Sequence, residues 1–180
     1  YQPILDALDY TPAILDHQAK TVMVEGKGDF YLFTYFKDVI LGEDSDLRFL
    51  PSSGANDLGP LVSLYLGWGY SFRILLDDDA AGRAAKKRYL ADWYLRDGMA
   101  ETIGDIHSTL KGKKLEGLIS VEGKNRIKAS LGVGKLTKKQ SARFFQDKLA
   151  TGEKFSFDKD TMKNIRLVFK SLGAYFEGGA

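Results

Sequence analysis

The sequence predicts an α/β protein in which helices cover both faces of a parallel sheet and a helical segment follows at the C-terminal end. Short apolar runs rich in β-branched residues alternate three times with segments of helical periodicity in the first part of the chain. Glycine or polar turns separate each run from the segment after it. Strands and helices that alternate in this way form βαβ units, whose parallel sheets are buried on both faces.

Three strand and helix pairs can be placed along the chain. The first strand, TVMVE at residues 21–25, is followed by Gly26 and by a helix in GDFYLFTYFKDVIL, where apolar residues recur near helical spacing. The second strand, LRFLP at 47–51, precedes a polar turn and a short helix in LGPLVSLYLGWG. The third strand, SFRILL at 71–76, leads through three aspartates into an alanine- and arginine-rich helix at 80–97.

The remainder of the chain has a weaker pattern. ETIGDIHSTL and LEGLISVEG are predicted to supply one or two further strands. Two helices are predicted near the end, at residues 137–150 and 158–173, with TGEKFSF between them. These two helices form the C-terminal helical segment of the predicted fold.

Composition excludes several classes of protein. The 180 residues contain no cysteine and only two histidines, which excludes disulfides, a thiolate nucleophile, cysteine-ligated zinc and a histidine-rich metal site. No apolar run reaches the roughly 18 residues of a membrane span, and the start YQPILDALDY lacks the basic region of a signal peptide. We therefore expect a soluble, cytoplasmic protein without membrane association.

Charge is distributed unevenly along the chain. Residues 1–110 contain 10 Lys and Arg against 17 Asp and Glu, a net charge of −7, whereas residues 111–180 contain 16 against 7, a net charge of +9. One interpretation is a solvated surface with uneven patches. The other is an acidic site beside a basic platform, as an enzyme that acts on phosphodiesters requires.

Carboxylates collect where two predicted strands end. Glu25 ends the first strand and Asp29 follows four residues later, while Asp77 and Asp79 follow the third strand. Ligands of an open parallel sheet bind beyond the carboxyl ends of its strands, so neighbouring strands would bring these side chains together. Unpaired carboxylates repel one another, and a hard divalent cation such as Mg²⁺ or Mn²⁺ relieves that repulsion. Taken singly, each could instead be a surface carboxylate, a first-turn residue or, for Asp79, a helix N-cap.

An ATPase interpretation of RILLDDD as a Walker B strand is rejected. It requires a phosphate loop of the form G-x-x-x-x-G-K-[ST] elsewhere in the chain. The nearest fragment, GVGKLT, has Ala129 where the first glycine belongs and Thr137 one place too late.

The two acidic motifs resemble the Toprim domain of topoisomerases, primases and certain nucleases. These motifs are E-G-x-x-D, which begins at Glu25, and D-x-D-x-x-G, which begins at Asp77. Within that set the chain is most similar to the OLD-family (overcoming lysogenization defect) nucleases, through VEGKGDFYLF, PSSGANDL, LLDDDAAGR, KKLEGLIS and TKKQSARFF. The similarity covers about residues 20–150.

The resemblance implies a division of the chain into three parts. Residues 1–19 are interpreted as a lead-in or a linker from an upstream domain, which in such nucleases is an ABC-type ATPase, and a stand-alone Toprim protein is the alternative. Residues 20–110 correspond to a Rossmann-like Toprim core. Residues 111–180 form a basic extension whose helices complete the nuclease site.

The resemblance also implies roles for individual residues. One or two divalent cations are expected at five carboxylates: Glu25, Asp29, Asp77, Asp79 and, for a second cation, Glu116. Glu25 and Lys138 are the predicted catalytic residues, with Lys139 as the rival of Lys138.

The tetrapeptide VEGK of the first motif recurs at Val121, in a different context. Arg126 stands where the first copy has Asp29, so Glu122 is interpreted as non-catalytic. The basic residues predicted to bind a DNA backbone are Lys124, Arg126, Lys128, Lys139 and Arg143. A solvated face is the alternative for the residues of the second copy.

The expected function is metal-dependent hydrolysis of DNA phosphodiester bonds by an endonuclease, with DNA binding that weakens steeply as salt increases. A catalytically silent Toprim module for nucleic-acid binding or oligomerisation is the alternative, and a homodimer is left open. Topoisomerase and primase activities fit less well, because they require a strand gate or a template-handling domain.

Overall fold

A computed structural model describes residues 20–42, 46–52 and 58–177. The predicted lead-in at 1–19 and residues 53–57 of the PSSGANDL turn lie outside the described residues. The strands form one sheet in the order β2-β1-β3-β4, and every neighbouring pair is parallel. They are β1 (Lys20–Val24), β2 (Leu47–Pro51), β3 (Phe72–Leu76) and β4 (Ala100–Thr102).

Helices connect and follow the strands. Within the described ranges the α-helices are α1 (Lys27–Tyr35), α2 (Gly59–Trp68), α3 (Ala80–Asp92), α4 (Ile103–Ile106), α5 (Val121–Leu131), α6 (Lys138–Thr151) and α7 (Lys159–Glu177). A π-helix, Phe36–Leu41, prolongs α1, and 3-10 turns occupy Ser108–Leu110 and Leu115–Leu118. The predicted α/β class with a parallel sheet is thereby confirmed.

Side chains alternate across each strand and fill two hydrophobic cores, one on each face of the sheet. Val22 and Val24 of β1 point into the larger core, which contains α1 and α5 to α7. Met23 between them points into the other core, beneath α2 and α3. The sheet is therefore covered on both faces, as predicted.

Residues beyond 111 complete the larger core. Helix α6 packs along α1, and Gly28 of α1 faces Ala142 of α6 so closely that a Cβ at Gly28 would lie 3.6 Å from the Ala142 Cβ. Phe145 of α6 and Val168 of α7 are fully buried in the same core. The basic part of the chain is thus packed directly against the sheet.

Two predicted elements differ from the structure. LEGLISVEG forms a 3-10 turn and the start of α5 instead of a strand, because Leu115 and Leu118 both turn into the larger core. The helix predicted at 80–97 ends at Asp92, and Tyr94 has a positive φ of 49°, which a helix does not accommodate. ETIGDIHSTL supplies one strand, β4.

No helix in the described ranges is long and apolar enough to cross a membrane.

Candidate functional site

The two acidic strand exits lie at the point where the order of the sheet reverses. Strand β1 pairs with β2 on one side and with β3 on the other, so the chain leaves β1 in one direction and returns to its opposite side. Such a switch point opens a crevice at the carboxyl ends of the strands. Glu25 follows β1 and Asp77 follows β3, and the Asp77 N–H donates to Glu25 Oε1 at 3.0 Å. The two predicted carboxylates are therefore adjacent.

A cavity of about 490 Å³ opens at this crevice. Its acidic residues come from the strand exits, the first turn of α1 and the 3-10 turn at 115–118, and its basic residues come from α5 and α6. The charged residues that line it are Glu25, Asp29, Asp77, Glu116, Lys124, Lys138 and Lys139.

Three carboxyl groups of the cavity are poorly neutralised. Burial is the largest cause that raises the pKa of Asp29 to about 7, and the charges of Asp77, Glu25 and Glu116 add to it. Burial also raises the pKa values of Glu25 and Asp77, although each accepts a backbone hydrogen bond that partly offsets the effect. The protein alone does not supply enough positive charge to neutralise these three carboxylates.

Asp79 has a different environment from the cavity carboxylates. It is the N-cap of α3 and accepts a hydrogen bond from the Gly82 N–H at 2.9 Å, as the N-cap alternative anticipated. Lys114 Nζ lies 2.8 Å from Asp79 Oδ2, and this contact is the main cause that lowers the Asp79 pKa. Asp79 is absent from the residues that line the cavity. Asp79 therefore lies beside the cavity, paired with Lys114, and is near enough that its charge helps to raise the Glu25 pKa.

Lys114 was missed by sequence reasoning. The segment around it runs beside the exit of β3, since the Asp78 N–H donates to the Lys113 carbonyl at 2.8 Å and the Leu115 N–H donates to Asp77 Oδ1 at 2.6 Å. These bonds hold Lys114 Nζ 4.0 Å from Asp77 Oδ2, beside the Asp79 contact. No local pattern signals this placement, because the bonds join segments that are more than thirty residues apart.

The middle aspartate of the DDD sequence is structural. Asp78 is buried and accepts the Gly112 N–H at 2.6 Å, which is the main cause that lowers its pKa. Arg83 and Thr102 also donate to it. Asp78 thereby ties the loop at 112 and the end of β4 to the exit of β3.

A steric constraint explains why the D-x-D-x-x-G motif has glycine at position 82. A Cβ at Gly82 would overlap the Asp77 carbonyl oxygen, because the first turn of α3 packs directly on the end of β3. Only glycine permits this approach. The motif therefore fixes the backbone that carries Asp77.

Glu116 and the two candidate lysines lie together at the mouth of the cavity. Lys138 Nζ is 3.2 Å from Glu116 Oε2, and both side chains are substantially exposed. Lys139, the rival lysine, lines the same cavity. The structure thus brings Glu116, Lys138 and Lys139 to the carboxylates of the strand exits.

The residues predicted to bind a DNA backbone divide into two groups. Lys124 is half-buried and lines the cavity, as Lys139 does. Arg126 pairs with Glu122, Lys128 donates to Asn125 at 3.0 Å, and Arg143 pairs with Asp147. These three lie on exposed or half-exposed helix surface outside the cavity.

The donor chemistry of the cavity fits a hard divalent cation. Glu25, Asp29 and Asp77 offer carboxylate oxygens, the ligands that Mg²⁺ and Mn²⁺ prefer. A bound cation would stabilise the charged forms of these groups, which burial disfavours most and the neighbouring negative charges disfavour further. In the part of the chain that is described, no three His, Asp or Glu side chains are gathered closely enough to hold a metal ion as they stand.

Comparisons with protein-family models, curated proteins and solved structures found no significant match to this chain.

Proposed function

We propose that this protein is a metal-dependent nuclease with a Toprim fold that hydrolyses DNA phosphodiester bonds, similar to the nuclease part of OLD-family ATPase-nucleases. The observation that carries the proposal is the crowding of Glu25, Asp29 and Asp77 at the switch point of the sheet, in a cavity that lysines also line. A cavity that only bound nucleic acid would not place under-neutralised carboxylates where a phosphate must approach.

The carboxylates would hold one or two Mg²⁺ or Mn²⁺ ions. Glu25, Asp29 and Asp77 are the first candidates, and Glu116 is the candidate for a second ion. The cation would supply Lewis acidity and a more acidic bound water. Asp79 would join this set only if the Lys114 side chain, whose Nζ lies 2.8 Å from Asp79 Oδ2, moved away.

The lysines have separate roles in the proposed reaction. Lys138 would stabilise negative charge that develops on the phosphate, a kind of electrostatic contribution worth about 10²-fold or more in rate. Its present partner, Glu116, is exposed, so this pair can open at small cost. Lys139 remains its rival, and Lys124 lies close enough to the cavity to bind a neighbouring phosphate.

An upstream ABC-type ATPase domain is a proposed partner on the strength of the resemblance, and the choice between a monomer and a homodimer is left open. The catalytically silent binding or oligomerisation module is the alternative function. The Lys138–Glu116 and Lys114–Asp79 pairs favour it to the extent that they already neutralise part of the site.

The test is cleavage of supercoiled plasmid with Mg²⁺, Mn²⁺ or EDTA by the wild type, Asp77→Ala and a control, Asp92→Ala. Asp92 is exposed at the far end of α3. We expect nicking or linearisation that EDTA abolishes, a loss of about 10²-fold or more in Asp77→Ala, and no change in Asp92→Ala. Thermal unfolding should show that Mn²⁺ stabilises the wild type but not Asp77→Ala.

Cleavage that persists in Asp77→Ala, or that proceeds in EDTA, would contradict the proposed site. DNA binding without cleavage by a folded wild type in either metal would favour the silent module.

A further inference from the structure

Helix α7 carries a stripe of basic residues on one exposed face. The residues recur at spacings of four, three and four positions, which places them along one side of an α-helix. They are Lys159, Lys163, Arg166 and Lys170, and all four are exposed. None of them forms an ion pair with a residue in the described ranges.

This stripe has an energetic cost that a solvated face would normally avoid. Lys159 and Lys163 are four positions apart, as are Arg166 and Lys170, and like charges at this spacing destabilise a helix. A helix face stabilised for solvent alone would alternate acidic and basic residues. An external polyanion would remove the repulsion.

The stripe borders a groove of about 530 Å³ that has no acidic lining residue. We call it the α7 groove, and its lining residues are Phe157, Lys159, Met162, Lys163, Arg166, Leu167 and Lys170. Phe157, Met162 and Leu167 are half-buried, so apolar surface lies between the cationic side chains. The groove therefore offers both charge and apolar contact.

A second groove lies between the α7 groove and the candidate active site. This linking groove, about 590 Å³ in volume, shares Lys163 with the α7 groove and shares Glu116 and Lys124 with the cavity. Its lining includes four lysines against the two acids Glu116 and Asp160. The three depressions are therefore neighbours, and the net charge of their lining residues becomes more positive from the cavity through the linking groove to the α7 groove.

We infer that the α7 groove binds single-stranded nucleic acid, whose backbone continues through the linking groove to the cavity. The inference rests on the proposed function, because it assigns the path by which the substrate of that site is held. The segment from Lys159 to Lys170 contains twelve residues of helix and is about 16 Å long, which is enough to contact several phosphates.

The apolar surface between the basic residues favours a single strand over a duplex. Proteins that bind single strands combine a positive groove with apolar or aromatic surface for the exposed bases. A duplex hides its bases and presents mainly phosphates along its outside. Phe157 and Met162 would have no comparable partner in a duplex.

The test measures binding of a fluorescent oligodeoxythymidine, long enough to cross both grooves, by fluorescence anisotropy in EDTA. The variant is Lys163→Gln with Arg166→Gln, and the control is Lys87→Gln with Arg88→Gln, which removes the same charges from α3 on the other face of the sheet. We expect about tenfold weaker binding by the groove variant and a salt-dependence slope that falls by about 1.4, at 0.7 for each lost phosphate contact. The control should bind within about twofold of the wild type.

Two results would overturn the inference. One is that the groove variant, shown by circular dichroism to be folded, binds the oligodeoxythymidine as tightly as the wild type does, or is weakened no more than the folded control. The other is tighter binding of a duplex of the same sequence length than of the single strand.

Because EDTA removes cleavage from the measurement, this test is independent of the nuclease proposal. Groove-dependent binding by a protein that cleaves no plasmid would overturn the nuclease proposal alone. Metal-dependent cleavage without groove-dependent binding would overturn the groove inference alone.

Discussion

The tetrapeptide VEGK occurs twice in this chain and adopts two different structures. In the first copy Val24 ends β1, Glu25 follows the strand, Gly26 is the N-cap of α1 with an extended φ of −155°, and Lys27 begins the helix. In the second copy all four residues, 121–124, form the first turn of α5 after the N-cap Ser120.

The surroundings of equivalent residues differ as much as their backbones. Val24 is fully buried between β2 and β3, whereas Val121 is 78% exposed. Glu25 is partly buried beside Asp77, and burial raises its pKa. Glu122 is exposed and pairs with Arg126. The same four residues therefore give a crowded carboxylate in one place and a neutralised surface carboxylate in the other.

The difference shows that neighbouring sequence and long-range packing, more than the tetrapeptide, decide what each copy does. The first copy follows a strand that pairs on both sides, and the second follows a serine that caps a helix. Both nevertheless reach the same cavity, because Glu25 of one and Lys124 of the other line it.

The largest expected difference between the copies is in cleavage. Glu25→Gln keeps an acceptor for the Asp77 N–H but removes a negative charge from the site, so we expect plasmid cleavage to fall by about 10²-fold or more. Glu122→Gln should cleave within about twofold of the wild type. Initial rates on supercoiled plasmid measure both, with circular dichroism as the control for folding. An equal loss of cleavage in the two variants would contradict the functional difference between Glu25 and Glu122.

The glycines of the two copies should differ in their effect on stability. A Cβ at Gly123 would lie 2.7 Å from Thr161 Oγ1 and 2.9 Å from Asp158 Oδ2, so it would disturb their buried 2.6 Å hydrogen bond. A Cβ at Gly26 would meet Asp29 Oδ2 at an ordinary 3.7 Å. We expect Gly123→Ala to lower the free energy of unfolding by about 1–3 kcal/mol in urea denaturation, and Gly26→Ala to change it by less than about 0.5 kcal/mol. A stable Gly123→Ala variant would show that α5 shifts to make room.

Asp29, at the offset where the second copy has Arg126, should make the metal-free protein sensitive to pH. Its pKa is about 7 in the folded state against an ordinary value of 3.8, so folding favours the protonated form. The stability that Asp29 contributes is complete below its ordinary pKa and is lost as the pH rises through about 7. Asp29→Asn stays neutral, and we expect it to be more stable than the wild type at about pH 8 by about 1–2 kcal/mol, a value reduced for partial exposure.

Thermal unfolding in EDTA at about pH 4 and about pH 8 checks this expectation. The two proteins should unfold alike at the lower pH, and Mg²⁺ at the higher pH should stabilise only the wild type. A wild type that is as stable as Asp29→Asn at both pH values would show that Asp29 is already neutralised.

The smallest effect is expected at the exposed ion pair of the second copy. Arg126→Gln removes the partner of Glu122 on the surface of α5, and such helix pairs contribute about 0.3–0.5 kcal/mol. Urea denaturation at low and high salt should show a loss of this size that salt diminishes. A loss above about 1 kcal/mol would indicate that the Arg126 contact with the Ser156 carbonyl also matters.

Local sequence determined most of the helices and strands and the pairing of Glu25 with Asp77. LRFLP is a strand over the predicted residues, and the helices predicted at 137–150 and 158–173 appear as α6 and α7. Periodicity and turn residues act within a few positions, so they are legible in the sequence alone. The adjacency of Glu25 and Asp77 was also predictable, because parallel strands bring their carboxyl ends to one edge of a sheet.

Tertiary structure alone decided which charges share the cavity. It paired Asp79 with Lys114 beside the cavity, turned the LEGL segment into a 3-10 turn against the core, and brought Lys124 beside the strand exits. It also placed a groove that includes Glu116, Lys124 and Lys163 between the cavity and the basic face of α7. Each of these placements depends on contacts between segments far apart in the chain, and a local pattern of residue types does not contain the distances that those contacts set.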